Sequence, residues 1–239
     1  TSVPNFDDFG LGAFLLAGTQ VYTLNALPVV TASPGNLTVT VGQNSTLSVQ
    51  VTGNPSPSFQ WRLNGTNLVD GGRISGSTTA NLTVANTQLA DAGNYSVRIS
   101  NLAGNATSNV GVLIVNPTAK MLWQSTYFTQ AQLGDPSISG DTASPAHDGI
   151  SNLLKYAFNL SPWVDSPSLL PQAQNSGNQL TLSFQKLRSD LTYTVQASTN
   201  LQNWSPNGVT LQTAGSTVTA SYPLSGTTLA FLRIVVTAP

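Results

Sequence analysis

From residue 37 to residue 114 the chain alternates apolar and polar positions in short runs. The runs are Leu37-x-Val39-x-Val41, Leu47-x-Val49-x-Val51, Phe59-x-Trp61-x-Leu63, Leu82-x-Val84, Tyr95-x-Val97-x-Ile99 and Val110-x-Val112-x-Ile114. Successive side chains of a strand point to opposite faces, so each run predicts a strand with one buried face. Turn-forming residues separate the runs, and short strands at this spacing predict an antiparallel sandwich. Asn116-Pro117-Thr118 then reads as a linker. Beyond it, Met121–Leu133 and Ile150–Leu160 each fit a helix. In the second, Ile150, Leu153, Leu154, Ala157 and Phe158 form an i, i+3, i+4, i+7, i+8 stripe. Asp148 is the expected N-cap, and Ser161-Pro162 is the stop. Alternation returns at Leu180-x-Leu182-x-Phe184, Tyr193-x-Val195-x-Ala197, Val218-x-Ala220-x-Tyr222 and Ala230-x-Leu232-x-Ile234-x-Val236.

Three regions follow. Residues 1–28 are an N-terminal strand segment, read either as the end of an upstream domain or as an assembly strand. Phe6, Phe9, Phe14, Leu15 and Leu16 are too many large apolar side chains for water, yet an isolated hairpin cannot bury them itself. Residues 29–116 form the sandwich. Residues 117–239 form a smaller β-rich, sandwich-like domain with a helical lead-in over 121–160. The expected fold class is mainly β with one or two short helices.

Composition narrows the function. Of 239 residues only 7% are charged, giving a net charge of −1, with one His and no Cys. All nine acidic residues are Asp. Without cysteine there are no disulfides, thiolate metal sites or cysteine nucleophiles. The missing Glu removes the usual glycosidase and metalloprotease carboxylates. A near-neutral chain has no electrostatic grip on nucleic acid or anionic membranes. The run Leu11–Gly18 is far short of a membrane span and follows Asp7 and Asp8 instead of a basic flank, so it does not read as a signal peptide. His147 stands beside Asp148, but no Gly-x-Ser-x-Gly nucleophile elbow accompanies it. No enzyme and no cofactor are expected.

The stretch STLSVQVTGNPSPSFQW (Ser45–Trp61), followed by RLNG and later by LADAGNYSVRISNLAG, resembles an immunoglobulin I-set domain. The resemblance implies that Val49 and Val97 occupy the positions of the inter-sheet cysteines, with Trp61 as the core tryptophan. It makes Tyr95 the tyrosine corner, and Arg73 and Asp91 a structural salt bridge. Each buried Val contributes roughly 1.5–3 kcal/mol, against about 2–4 kcal/mol for a disulfide. The exchange costs stability while preserving the fold.

The run GDTASPAHDGISNLLKYAFNLSP resembles a segment near the C-termini of large secreted proteins from planctomycete- and verrucomicrobium-like bacteria. YTVQASTNLQNWSP and LAFLRIVVTAP resemble the rest of that module. In those relatives the loop is similar to dockerin and thrombospondin type 3 calcium loops. Here it is degenerate: Asp148 and Gly149 fill positions 5 and 6, but Ser144, Ala146 and Lys155 stand at positions 1, 3 and 12. No metal is expected there. Asn5–Phe14 resembles the closing strand of a carbohydrate-binding sandwich.

The expected function is that of a non-catalytic, extracellular structural, adhesion or spacer segment. Its partners would be protein or cell-surface surfaces, including other copies of itself through residues 1–28. Two alternatives stay open. One is a self-assembling filament subunit using strand addition. The other is a carbohydrate-binding accessory region, for which Trp123, Trp163 and Trp204 are the candidate glycan-facing aromatics and polysaccharide the partner.

Overall fold

The computed structural model describes residues 25–226 and 229–238, so the strands expected within Phe6–Leu24 lie outside the described residues. The described chain divides between Thr118 and Ala119 into two units.

The first unit contains β1 (Ala26–Ala32), β2 (Leu37–Thr40), β3 (Ser45–Ser48), β4 (Gln50–Asn54), β5 (Ser58–Leu63), β6 (Thr66–Asn67), β7 (Ile74–Ser75), β8 (Asn81–Val84), β9 (Gly93–Asn101), β10 (Gly104–Thr107) and β11 (Gly111–Asn116). One sheet runs β2-β11-β9-β5-β6, with β10 also on β9. Facing it are β3-β8-β7 and the pair β1-β4. The pairing of β2 with β11 is parallel, whereas the other ladders of this unit are antiparallel. β1 starts at Ala26, ahead of the boundary read at residue 29, and its Ala26 carbonyl accepts from Asn101 Nδ2 at 2.8 Å.

Alternation sets most inward faces. Leu47, Trp61, Leu82, Tyr95, Val97 and Ile99 are buried in one cluster. The last run has the opposite phase from that expected: Gly111, Leu113 and Val115 face inward, while Val110 and Ile114 are 52% and 49% exposed. Every residue from Val112 to Val115 is apolar, so alternation alone carries no phase there. Space decides it, because a Cβ at Gly111 would lie 2.8 Å from the Pro34 and Gly35 carbonyl oxygens. Glycine is likewise required at Gly93, whose φ is +154° and whose Cβ would meet Leu63 Cδ1 at 2.8 Å.

The second unit opens with α1 (Ala119–Tyr127), α2 (Gln130–Leu133), α3 (Pro136–Ser139) and α4 (Asn152–Ala157). The continuous helix expected over Met121–Leu133 is thus broken. Thr129 caps a new one, its hydroxyl accepting from the Gln132 N–H while Gln132 reaches back to the Thr129 N–H. The second expected helix is shorter than Ile150–Leu160, because Ser151 caps it and Asn159 has φ of 54°.

β12 (Ala173–Ser176), β13 (Gln179–Gln185), β15 (Thr210–Ala214) and β16 (Thr217–Pro223) form a sheet in the order β12-β13-β16-β15. β14 (Thr192–Ser198) pairs with β17 (Phe231–Thr237). Leu182, Phe184, Val195, Val218 and Ala220 make one core cluster. Trp123, Phe128, Tyr156, Ala157 and Leu191 make another, beneath the helices.

Candidate functional site

Most polar groups with distinctive chemistry are spent on holding the fold. In the first unit, Trp61 is fully buried between Val49 and Val97, and its indole N–H donates to the Thr79 carbonyl at 2.9 Å. The Tyr95 hydroxyl donates to the Asp91 carbonyl at 2.8 Å, closing the corner that leads into β9. Burial, and then the nearby Asp91 charge, push the Tyr95 phenol up to about 12. Arg73 grips Asp91 with both terminal nitrogens, Nη1 to Oδ2 at 2.5 Å and Nη2 to Oδ1 at 3.0 Å. Burial acts to raise the Asp91 pKa, but the hydrogen bonds from Arg73 and the Gln88 N–H outweigh it and hold the carboxylate below its ordinary value. The structure therefore brings Val49, Trp61, Tyr95 and Val97 into one core and Arg73 and Asp91 into contact.

In the second unit the centre of interest is Asp148. Expected as a helix cap, it is not one: Ser151 Oγ accepts from the Leu154 N–H instead. Gly149, with φ of 75°, turns the chain after Asp148, so the helix starts too late for Asp148 to reach its first turn. The Asp148 side chain points inward. Oδ1 accepts from Ser144 Oγ at 3.1 Å and the Ile150 N–H at 3.0 Å, and Oδ2 accepts from the Ser166 N–H at 3.2 Å. Lys155 Nζ lies 2.7 Å from the same Oδ2, and neither side chain has any exposed surface. The ammonium also donates to the Val164 carbonyl at 2.7 Å. The cation that Asp148 holds is thus the lysine seven residues on. Burial pushes the Asp148 pKa up, but Lys155, the Ile150 and Ser166 amides and the Ser144 hydroxyl together hold it far below the usual carboxylate range.

Sequence reasoning missed this pair because Lys155 falls off the apolar stripe of α4 and reads as a solvent-facing residue. The available signal was the apolar Val164 and the Pro-rich return of the chain over that side of the helix. Nearby, Asn152 donates from Nδ2 to the Ile138 and Gly140 carbonyls, while its buried Oδ1 has no hydrogen-bond partner among the described residues. Tyr156 donates to Asp190 at 2.7 Å and lies under the Arg188 guanidinium, 4.4 Å from the ring centroid. His147 is exposed on the loop. Among the described residues no group of three or more His or Asp side chains is placed to hold a metal ion.

The three candidate tryptophans separate. Trp123 cannot face a glycan: it is 5% exposed and packs on Tyr127, Phe128 and Tyr156, because α1 turns its apolar stripe into the core. Trp163 is 42% exposed, its edge against Phe128 and its indole N–H on the Tyr127 carbonyl. Trp204 is partly exposed, with Arg233 stacked 4.3 Å from its ring centroid and held there by Gln196.

Two sheets with this core and tyrosine corner define an immunoglobulin-like β-sandwich in a mainly β chain. The family model for the immunoglobulin domain matches residues 28–101. Endoglucanase C of Cellulomonas fimi is 30% identical over 112 residues, covering 46% of this chain and 10% of that protein. Roundabout homolog 3 of Homo sapiens is 39% identical over 82 residues, covering 34% of this chain and 6% of that protein. The chain spans a tenth or less of the length of these two relatives. Among solved structures, the tandem Ig repeats of Dlar align at 28% identity with a TM-score of 0.38, covering 40% of this chain and 51% of that one.

Proposed function

We propose that this chain is a non-catalytic segment of an extracellular protein, with a structural or adhesive role. In this reading the immunoglobulin-like unit is spacer and contact surface, and residues 1–28 include an assembly strand for other copies of the chain. The observation that carries it is the use made of reactive groups. Arg73, Asp91, Tyr95, Asp148 and Lys155 are each paired inside the fold. Parts of this chain are similar to parts of proteins as unlike as an endoglucanase and a Roundabout homolog, which supports a module whose role is set by its surface. No described helix is long and apolar enough to cross a membrane.

Beads coated with the full chain test this directly. Homotypic bead aggregation, or retention on a protein-coated surface, is expected. Dispersed beads together with depletion of the chain onto cellulose or chitin would instead establish a carbohydrate-binding accessory region.

A further inference from the structure

The free edge of β17 lies in a groove that is shaped for an extended segment. Arg233, Ile234, Val235 and Val236 all line one cavity of about 320 Å³, facing Ser151, Leu153 and Leu154 across it. Side chains alternate along a strand, so four consecutive residues can share a cavity only if it runs along the strand's edge. Among the described strands β17 pairs with β14 alone, across all seven residues. In an antiparallel ladder, alternate residues turn both backbone groups toward the partner and the residues between turn theirs away. On the side away from β14, no backbone hydrogen bond joins β17 to another described residue. Among the described residues, then, these backbone groups of mostly half-buried residues have no partner, although buried backbone groups are normally paired. A second cavity of about 150 Å³ adjoins the first, sharing Leu154, Arg233 and Ile234 with it and otherwise lined by Phe158, Leu170, Pro171, Leu182 and Leu232. Apart from Arg233 its lining is apolar, and a space of that size holds about one benzene ring.

We propose that this groove accepts residues Phe9–Ala13 of a second copy of the chain as an added strand, an inference that rests on the assembly-strand reading above. The occupant follows from complementarity. Strand addition supplies the missing backbone donors and acceptors, and pockets for alternate side chains give specificity. Residues 9–13 read Phe-Gly-Leu-Gly-Ala, apolar on one face with glycine on the other. The glycine face fits the narrow side of the groove against α4, and Phe9 or Leu11 fills the apolar cavity. Asp7 and Asp8 precede this stretch, and the Arg233 side chain, which has no acidic partner within ion-pair distance among the described residues, flanks the groove. Donor and acceptor are different surfaces, so the contact is head-to-tail and propagates into a chain of copies.

Sedimentation velocity and hydrogen exchange of the full chain test the proposal. The expected result is concentration-dependent association, with protection of amides 231–237 rising as copies associate. Leu170→Trp, which fills the apolar cavity, and Gly10→Val with Gly12→Val, which thickens the donor, should each weaken association at least tenfold. Urea midpoints of both units equal to the parent's in each variant would show that lost association is not unfolding. Mixing the two variants should restore a dimer that grows no further, because one intact donor then meets one intact acceptor. Association that leaves 231–237 unprotected overturns this acceptor, while the assembly reading survives if the donor variant still dissociates the copies. A monomer at all concentrations with 231–237 exchanging freely overturns both. A monomer with 231–237 already protected shows the edge covered within one chain and overturns docking by a second copy.

Discussion

Lys155→Met keeps an apolar stem of similar length and removes the ammonium that faces Asp148. The variant leaves a carboxylate with no exposed surface and four polar contacts reduced to three hydrogen bonds. Breaking a buried pair by removing one partner costs about 3–5 kcal/mol, because the remaining charge stays desolvated. At roughly 3–6 °C per kcal/mol for a domain of about 120 residues, the second unit should melt about 10–25 °C lower. Removing both charges should cost far less, since a buried pair exchanged for well-packed neutral groups is often near neutral in stability. Asp148→Asn with Lys155→Met is therefore expected to be more stable than either single variant.

The pH dependence sharpens the test. In the parent the folded Asp148 pKa lies below its ordinary 3.8. Its stabilising contribution is then complete above about pH 4 and is lost as the pH falls through the depressed folded value. In Lys155→Met the main counterweight to burial is gone, and the Asp148 pKa moves up. The deficit against the parent should be widest near neutral pH and narrow on acidification, where the variant protonates Asp148 more readily. Urea titrations read by hydrogen exchange report the two units separately. A double variant no better than the worse single one, or a deficit constant from neutral pH to pH 4, would refute this account of the pair.

Further outcomes follow from the same contacts. Trp61→Ala should destabilise the first unit by about 3–5 kcal/mol through lost burial and a cavity, read as a lower urea midpoint for that unit. Val49→Cys with Val97→Cys should oxidise to a disulfide across the sandwich and gain about 2–4 kcal/mol over its reduced form; free thiols after mild oxidation would show the two sites badly aligned. Calcium titrated into chelator-treated chain should give no calorimetric signal from the Asp148 loop, because Lys155 already supplies the cation there.

Where one face of a strand is apolar and the other polar, the sequence alone locates the strand and its inward side, as at Phe59–Leu63 and Leu180–Phe184. Where that contrast vanishes, it fails. Val110–Val115 is apolar at nearly every position, and a backbone approach at Gly111 sets its phase. β12 and β15 are exposed at every residue, so no burial pattern announces them. Gly177 and Gly215, at φ of 64° and 62°, close the hairpins of these strands with β13 and β16, and a lone turn glycine does not announce the strand before it. In the first unit, the Tyr95 corner and the Arg73–Asp91 pair, 18 residues apart, were legible through the family resemblance and not through any local pattern. Asp148 and Lys155 were not, since a lysine becomes a core residue only when a distant carbonyl, here Val164, arrives to meet it.

The scarcity of charge makes one last prediction about how this chain meets its partners. It carries eight cationic and nine acidic residues in 239. Among the described residues, three of each are taken up in the ion pairs Arg73–Asp91, Lys120–Asp141 and Lys155–Asp148. What remains is too sparse to steer an approaching molecule, because charges further apart than about 8–10 Å are screened at ordinary ionic strength. Binding must then rest on apolar contact and backbone or amide hydrogen bonds, which simple salt barely weakens. Raising sodium chloride from about 50 to about 500 mM should change the dissociation constant of self-association less than about threefold. Ammonium sulfate should tighten it, since excluded salts strengthen apolar burial. A tenfold or greater loss in sodium chloride would mean that the remaining ions, Arg233 and the Asp7–Asp8 pair foremost, dominate recognition and that strand addition is the lesser part of the contact.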